Sequence, residues 1–172
     1  MVHSQYSISS LCLGKNDSLC IKIQGIILRK GNGFVTTTGN LGPVACEAMI
    51  LAKNILLKSS KEFIKYDYHL HFSYPSTRKD GTSWGLACYL LLSFISGSLV
   101  YVPNVAATGE LDLFGNILPI NYIDEKLAAW SKSRCNVLFV PKNNIVPKTD
   151  GIYQVSSLKE VNSILTENIA KK

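Results

Sequence analysis

The chain has 172 residues, 47% of them hydrophobic, and its 18 Lys and Arg residues outnumber its 12 Asp and Glu residues, for a net charge of +6. This length predicts a single domain, residues 1–172 with a core at about 19–170, and the apolar fraction excludes a disordered chain. The basic residues are scattered singly, which favours a solvated basic surface over a nucleic-acid groove, so no nucleic-acid partner is expected.

Cysteine usage and hydropathy bear on the compartment. The five cysteines form no C-x-x-C pair, and several lie in apolar segments. This favours free thiols in a reducing compartment, the cytoplasm, over a disulfide scaffold or a zinc site. Residues 1–10 are polar and lack the apolar region of a signal peptide. The longest apolar stretch, Leu86 to Ile95, is too short to span a bilayer, so no membrane partner is expected.

The first half of the chain predicts strands around one long helix. Leu19 to Leu28 and Phe34 to Thr38 have strand character, and the segment Gly31-Asn32-Gly33 between them predicts a hairpin that pairs the two strands. Pro43 suits the first turn of a helix that runs to about Ser59, because apolar residues recur there at helical spacing. Residues 66–74 alternate as a strand, and a polar loop follows them.

The second half alternates helices with strands. A helix from about Ser83 to Ser96 is apolar nearly all round and should be buried on most sides. Ser157 suits the N-cap of a closing helix that extends to Ala170, with Glu160 three residues on. The intervening pattern predicts a helix at Ile123–Ser133 and strands at Val105–Leu111, Asn116–Ile120, Asn136–Val140 and Ile152–Val155. This alternation predicts an α/β fold with mixed sheets and packed helices.

Ser83 lies in the segment Lys79-Asp80-Gly81-Thr82-Ser83-Trp84-Gly85, at the junction of a loop with the apolar helix. A helix N-terminus carries free N–H groups and a partial positive charge, which would stabilise negative charge developing at a nucleophile placed there. Gly81 would let the backbone approach a substrate closely. The alternative is that Ser83 or Thr82 only caps the helix.

Lys126 lies in the helix predicted to begin at Ile123, on the same face as Ile123, Leu127 and Trp130. Loss of solvation on this apolar face would lower its pKa, and a neutral lysine can act as a general base. The alternative is a side chain that keeps its ammonium in water. A serine at a turn-to-helix junction and a lysine on an apolar helix face are the parts of a Ser-Lys nucleophile, so peptide-bond hydrolysis is the leading hypothesis.

Other polar residues could support this pair. The Thr108 hydroxyl could hold a neutral lysine amine, and Asp80 could hydrogen-bond the nucleophile or order the loop as an Asp-Gly turn. His69 and His71 alternate on one face of a strand, but the only other histidine is His3, so a supporting or packing role is favoured over metal binding. The chain contains no GxxxxGKS/T loop, so no ATPase domain and no cofactor is predicted in it.

Taken in order, these motifs resemble the proteolytic domain of Lon proteases over most of the chain, from about Leu19 to Leu165. Residues 79–85 resemble the family's K-D-G-P-S-A-G nucleophile motif, and His69-Leu70-His71 resembles its H-x-H strand. The block that begins Thr108-Gly109-Glu110 resembles its T-G-E-I-x-L-x-G-x-V-L-P-I segment, and Lys126 falls on the lysine of its G-G-x-x-x-K motif. Further matching segments are Lys30 to Glu47 and Val137 to Pro141.

The resemblance implies a Lon-type proteolytic domain, related to the ribosomal protein S5 domain 2-like fold, with endopeptidase activity. It implies that Ser83 attacks the peptide carbonyl, that Lys126 takes and returns the proton, and that Thr108 orients the lysine. Asp80 and His71 would support the site, and backbone N–H groups near the serine would form an oxyanion hole. Implied partners are unfolded or specific protein substrates, further copies in a hexameric ring, and a separate ATPase or targeting protein.

The chain departs from the family pattern at three places near the site. Thr82 stands where the family has proline, Trp84 where it has a small alanine, and Asn121-Tyr122 where it has a glycine pair. Thr82, Trp84 and Tyr122 are therefore expected to line a narrowed substrate cleft.

Three functions remain open from the sequence. The first is a Lon-like serine endopeptidase, the second a catalytically silent Lon-fold module for assembly or ligand binding, and the third a basic RNA-binding domain. Retention of both Ser83 and Lys126 favours the first over the second. Basic residues are not gathered with interleaved aromatic residues, which disfavours the third.

Overall fold

The structure is a computed structural model that describes residues 5–14 and 17–169. Its strands are β1 (Tyr6–Leu13), β2 (Ser18–Lys30), β3 (Val35–Thr38), β4 (Tyr66–Phe72), β5 (Val105–Ala107), β6 (Glu110–Leu111), β7 (Ile117–Leu118), β8 (Val137–Pro141) and β9 (Ile152–Val155). Its helices are α1 (Pro43–Ser59), α2 (Gly85–Ser96), α3 (Ile123–Ser131) and α4 (Leu158–Ile164). Short 3-10 turns lie at Phe63–Lys65 and Thr82–Trp84, and a π-helical turn lies at Leu165–Ile169.

Seven strands form one mixed sheet in the order β3-β4-β2-β1-β5-β8-β9. β2 pairs antiparallel with both β1 and β4, whereas the other neighbours in this sheet are parallel. β6 and β7 form a separate antiparallel pair. The predicted α/β class with mixed sheets and packed helices is confirmed, and its relation to the ribosomal protein S5 domain 2-like fold stays a prediction.

The predicted hairpin between β2 and β3 is wrong, because β4 lies between the two strands and β3 pairs with β4 in parallel. The cause is the buried Asp67 at the start of β4, whose carboxylate accepts hydrogen bonds from the N–H groups of Asn32 and Phe34. These bonds draw the Gly-Asn-Gly segment over the end of β4. The segment therefore carries the chain across a neighbouring strand instead of folding it back on β2.

Helices cover both faces of the sheet. α1, α2 and α4 share the larger core with Ile21 and Ile23 of β2. α3 packs on the opposite face, where Leu127 and Trp130 contact a smaller core that contains Leu11. All 12 residues of α2 are buried, as its apolar sequence predicts. None of the helices in the described part of the chain is both long and apolar enough to cross a membrane.

Sequence patterns locate most elements. The helix at Pro43–Ser59 and the strand at Ile152–Val155 are confirmed to the residue. Ser157 caps α4 by accepting the N–H of Glu160. The predicted end of the closing helix at Ala170 lies outside the described residues, as does His3. The sequence does not predict β1, whose serines interrupt its apolar pattern.

Candidate active site

Ser83 lies in the 3-10 turn that leads into α2. The preceding Gly81 has φ 114°, in the left-handed region that glycine adopts readily, and the chain turns there from the loop into the helix. The Ser83 carbonyl accepts the N–H of Gly109, and the Gly109 carbonyl accepts the N–H of Leu86. These two bonds tie the start of α2 to the segment after β5 and fix the position of the Ser83 side chain.

Lys126 lies in the first turn of α3 and is only 5% exposed. Its Nζ atom is 2.9 Å from Ser83 Oγ and 3.3 Å from Thr108 Oγ1. Burial lowers the pKa of Lys126 to about 8, while the nearby Cys12 acts to raise it. With such a pKa, roughly a tenth of the molecules carry a neutral Lys126 amine at pH 7, against about one in a few thousand for a free lysine.

Thr108 reaches Lys126 because the strand predicted from Val105 to Leu111 is interrupted. Pairing of β5 with β8 ends at Ala107, and the Thr108 N–H then bonds the Phe139 carbonyl. After this break the chain leaves the large sheet and forms the β6–β7 pair. Thr108 is fully buried at the break, so its hydroxyl is held beside the lysine amine.

A cavity of about 250 Å³ opens onto Ser83 and Lys126. Three further residues predicted for the site line it, namely Asp80, Thr82 and Tyr122. The other lining residues are Cys12, Leu13, Gly81, Glu110, Pro119, Ile120 and Asn121. The structure therefore gathers five of the eight predicted site residues around one opening, and Thr108 lies behind it.

Glu110 and Cys12 are site residues that the sequence reasoning missed. Glu110 Oε2 accepts a hydrogen bond from Thr82 Oγ1 at 2.6 Å. A proline at position 82 has no hydroxyl for this bond, so the departure from the family pattern gives Glu110 a partner at the mouth of the cavity. The place of Glu110 in the Thr-Gly-Glu block could have identified it. No sequence motif indicated Cys12, because it lies in β1, the strand that the sequence does not predict.

Asp80 orders the loop before Ser83. Its Oδ1 accepts the N–H groups of Ala45 and Gly81, each at 3.1 Å, and Arg78 approaches its Oδ2 at 3.4 Å. Ala45 lies in the first turn of α1, so Asp80 satisfies one of that helix's free donors. Burial acts to raise the pKa of Asp80, but these hydrogen bonds and Arg78 outweigh it and lower the pKa. This geometry fits the second of its two predicted roles, ordering of the loop.

Lys79 is a second buried lysine, 1% exposed. Its Nζ donates to the carbonyls of Gly39, Tyr74 and Thr77 at 2.8, 2.6 and 2.7 Å. Burial lowers the pKa of Lys79, and Cys12 acts to raise it. An ammonium has three N–H donors and a neutral amine two, so three carbonyl acceptors match the charged form. Lys79 thus joins the loop before Ser83 to the segment after β3.

Trp84 lies in the core, and its prediction as a cleft residue is wrong. The side chain is 1% exposed and packs edge-on against Phe72, with ring centroids 5.5 Å apart. Successive side chains in a 3-10 turn point about 120° apart, so Ser83 faces the cavity while its neighbour faces the protein interior. The indole therefore leaves the space beside the nucleophile free.

His71 lies away from the cavity. Its Nδ1 is 2.8 Å from Thr38 Oγ1, and His69 contacts Thr36 and Thr38 on the same face of β3 and β4. Other residues line the opening at Ser83, so the structure does not bring His71 there. Within residues 5–14 and 17–169, no group of three or more His, Cys, Asp or Glu side chains is arranged to hold a metal.

Tyr122 precedes α3 in the left-handed conformation, with φ 59° and ψ 44°. A glycine, which the family pattern has here, adopts this conformation freely, whereas a residue with a Cβ pays about 1–2 kcal/mol. The Tyr122 carbonyl accepts the N–H of Lys126, so this residue sets the start of the helix that carries the lysine. Tyr122 is 60% exposed and lines the cavity.

Comparisons with known proteins identify the family of the chain. The sequence model of the Lon protease (S16) C-terminal proteolytic domain matches residues 13–169. The chain is 32% identical over 169 residues to the Lon protease of Haemophilus influenzae, covering 88% of this chain and 20% of that protein. It is 35% identical over 136 residues to that of Vibrio parahaemolyticus, covering 74% and 17%, and 34% identical over 155 residues to that of Buchnera aphidicola, covering 80% and 20%.

The chain thus spans about a fifth of the length of these curated relatives, each 17% or 20% covered. The family match nevertheless extends from Leu13 to Ile169 and includes every element from β2 to the closing turn. The chain belongs to the family of Lon protease C-terminal proteolytic domains.

Proposed function

We propose that this domain is a serine endopeptidase in which Ser83 is the nucleophile and Lys126 its general base. The observation that carries the proposal is the buried Lys126 amine, 2.9 Å from Ser83 Oγ, with a pKa lowered to about 8. A lysine that faced solvent would stay protonated at neutral pH and could not take a proton. Membership of a proteolytic-domain family supports the same chemistry.

The first step is acylation of Ser83. The neutral Lys126 amine accepts the Ser83 hydroxyl proton and donates an N–H to Thr108 Oγ1, which holds its lone pair towards the serine. Ser83 Oγ attacks the carbonyl carbon of a peptide bond bound in the cavity. The resulting oxyanion would accept hydrogen bonds from backbone N–H groups of the turn that contains Ser83, at the positive end of the α2 dipole.

The second step releases the products. The Lys126 ammonium returns its proton to the leaving amine, the C–N bond breaks, and an acyl ester remains on Ser83. Water then enters, gives a proton to the neutral amine and attacks the ester carbonyl. The bond from the acyl carbon to Ser83 Oγ breaks, and the Lys126 ammonium returns the proton to Oγ. Starting from the neutral amine, the catalytic cycle charges Lys126 only while the oxyanion is present, so the two opposite charges compensate each other in a site that disfavours a lone charge.

The proposal extends to substrates and partners. Unfolded or specific proteins would supply the cleaved segments, and this domain would cleave them without ATP. The family resemblance supports a hexameric homo-oligomer in the cytoplasm and a separate ATPase or targeting partner that delivers substrates. The five free cysteines suit a reducing compartment.

Mutation of both residues tests the proposal. Ser83→Ala and Lys126→Ala should each abolish cleavage of an unfolded protein, and the double variant should lose no more than either, because the two residues act as a unit. Ser131→Ala, at an exposed serine of α3, is the matched control and should cleave normally. A serine-directed covalent inhibitor should label Ser83 alone in peptide mass mapping.

Cleavage by Ser83→Ala at the wild-type rate would exclude Ser83 as the nucleophile. A folded wild-type chain that neither cleaves nor reacts with the inhibitor would instead support the silent module for assembly or ligand binding. A silent module would need neither the Ser83 hydroxyl nor the Lys126 amine. The short distance between these two groups therefore favours the peptidase.

A further inference from the structure

Two cysteines outside the Ser83 cavity meet on the face of the sheet that α3 covers. Cys20 belongs to β2, and Cys135 precedes β8. The two thiols lie close enough to influence each other's pKa, with Ser9 and Ser133 beside both. The backbone N–H of Cys135 donates to Ser133 Oγ at 3.1 Å. The two cysteines pack at the margin of the smaller core and line one open cavity of about 650 Å³. They are therefore close to each other and accessible to small molecules.

The strand register explains why Cys20 points to this face. Cys20 lies opposite Leu11 and Lys22 opposite Ser9 in the antiparallel pair of β1 and β2. Opposite residues and alternate residues of such a pair share a face, so all four side chains point towards α3. Cys135 reaches the same place from the segment that follows α3. A covalent bond between the two sulfurs would therefore join two separate elements.

The surroundings differentiate the two thiols. The hydrogen bond from Cys20 is the main cause that lowers the pKa of Cys135 to about 6; burial opposes it, and Ser9, Ser133 and Lys22 also lower it. The same hydrogen bond, together with burial, raises the pKa of Cys20. One sulfur is thus poised as a thiolate and the other as a thiol, which is the arrangement of an attacking and a resolving cysteine.

We propose that Cys20 and Cys135 are a reversible oxidation site that closes to a disulfide in response to a hydroperoxide. The Cys135 thiolate attacks the peroxide, an S–O bond forms as the O–O bond breaks, and the hydroxide or alkoxide leaves and takes a proton from water. The Cys20 thiol then attacks Cys135 Sγ, and the sulfenic oxygen leaves as water with the Cys20 proton. The two sulfurs lose two electrons and the peroxide gains them; a dithiol reverses the reaction.

The bond would tie β2 to the segment directly after α3, the helix that carries Lys126. Closing so long a loop of chain should raise the midpoint of thermal unfolding by roughly 5 to 15 °C relative to the reduced protein. This inference is independent of the proposed peptidase function, because mass and thermal stability report it without any substrate.

Peroxide titration of the reduced chain tests the site. After graded hydrogen peroxide, alkylation and digestion, mass spectrometry should find a peptide pair joined through Cys20 and Cys135, which dithiothreitol separates. Cys46, the other half-buried thiol, should remain open to alkylation at the same peroxide concentration. Cys46→Ser should form the same cross-link, and Cys20→Ser should accumulate Cys135 sulfenic acid that dimedone traps.

Oxidation of Cys46 as readily as Cys135 would overturn the inference, as would conversion of Cys135 to sulfinic acid in the wild type with no cross-link. Far-UV circular dichroism and the unfolding midpoint of each variant establish that it is folded before its thiols are compared. The mapping of the wild-type chain needs no variant and decides by itself.

Discussion

Lys79 and Lys126 are both buried, and burial lowers the pKa of both, yet their hydrogen-bond partners favour different protonation states. Lys79 donates to three backbone carbonyls, which can only accept hydrogen bonds. Lys126 meets two hydroxyls, those of Ser83 and Thr108, which can donate as well as accept. Carbonyls therefore select an ammonium, whereas hydroxyls admit a neutral amine.

Cys12 makes the comparison closer, because this one thiol interacts electrostatically with both lysines. Burial raises the pKa of Cys12, and the two lysines act to lower it. The lysines thus belong to one buried region and differ mainly in their hydrogen-bond partners. Burial alone does not make a lysine a base; the neighbouring acceptors decide whether the neutral form is satisfied.

Lys126→Met should have the largest effect on function. Methionine keeps the length and apolar stem of the side chain but cannot take a proton, so cleavage should fall by about 1000-fold or more. Stability should rise slightly, because the shift of the Lys126 pKa from 10.5 to about 8 corresponds to an unfavourable burial of about 3 kcal/mol at pH 7, which two lost hydrogen bonds only partly offset. Kinetics and thermal unfolding of the same variant check both.

Lys79→Met should have the largest effect on stability. It leaves the carbonyls of Gly39, Tyr74 and Thr77 without their donor, at about 1–3 kcal/mol for each acceptor that stays buried and unpaired. The unfolding midpoint should fall by roughly 6 to 12 °C if the total is about 3 kcal/mol. Equal unfolding midpoints for Lys79→Met and Lys126→Met would contradict the conclusion that their hydrogen-bond partners distinguish the two lysines.

The pH dependence should report Lys126 alone. The amine must be neutral to accept the serine proton, so cleavage should rise with pH along a limb whose apparent pKa is about 8, and it should be lost below that value as the lysine is protonated. The measurement is kcat/KM from pH 6 to 10 on a peptide without titratable groups. A rate still rising beyond pH 10 would show a solvated Lys126.

The sequence was sufficient to identify the two residues that are proposed to react. The turn-to-helix junction indicated Ser83 and helical spacing predicted Lys126 on an apolar face, but local pattern left a helix cap and a solvated lysine open, and the resemblance to the family decided against both. The role of Lys79 was out of reach, because its partners are backbone carbonyls in distant segments and leave no mark in the sequence. Trp84 was misplaced for a related reason: the rotation of a single turn decides which of two adjacent side chains faces the cavity.

The strand pairing was harder to predict than the helices. A Gly-Asn-Gly segment predicts a hairpin by local rules, but the Asp67 carboxylate, more than 30 residues away, redirects it across β4. β1 escaped prediction because Ser9 and Ser10 are buried where an apolar alternation would be expected, and Ser10 satisfies its hydroxyl on the Ala107 carbonyl. Both failures come from polar groups paired over long distances in sequence.

Thr108→Val should have a moderate effect on function. Valine keeps the shape of the side chain but removes the hydroxyl that orients the lysine amine, and one lost hydrogen bond of about 1–1.5 kcal/mol corresponds to roughly a 10-fold fall in kcat. KM should be unchanged, because Thr108 lies behind the cavity and not at its opening. Thr108→Ser keeps the hydroxyl and should cleave at about the wild-type rate. If Thr108→Ser were as slow as Thr108→Val, Thr108 would act through packing of its methyl group and not through its hydroxyl.

Tyr122 offers the smallest and most local test. Tyrosines in the left-handed conformation lie beside both lysines: the Tyr74 carbonyl (φ 57°) accepts from Lys79 Nζ, and the Tyr122 carbonyl (φ 59°) accepts from the backbone N–H of Lys126. Tyr122→Gly and Tyr122→Ala both remove the ring, but only glycine relieves the backbone. The glycine variant should therefore be more stable than the alanine variant by about 1 kcal/mol, or roughly 2 to 4 °C in the unfolding midpoint.

Both variants should cleave substrates with bulkier residues near the scissile bond to the same extent, since loss of the Tyr122 ring opens the same space in each. Equal midpoints would mean that the start of α3 holds no strain, and that the glycine pair of the family pattern serves the width of the cleft alone.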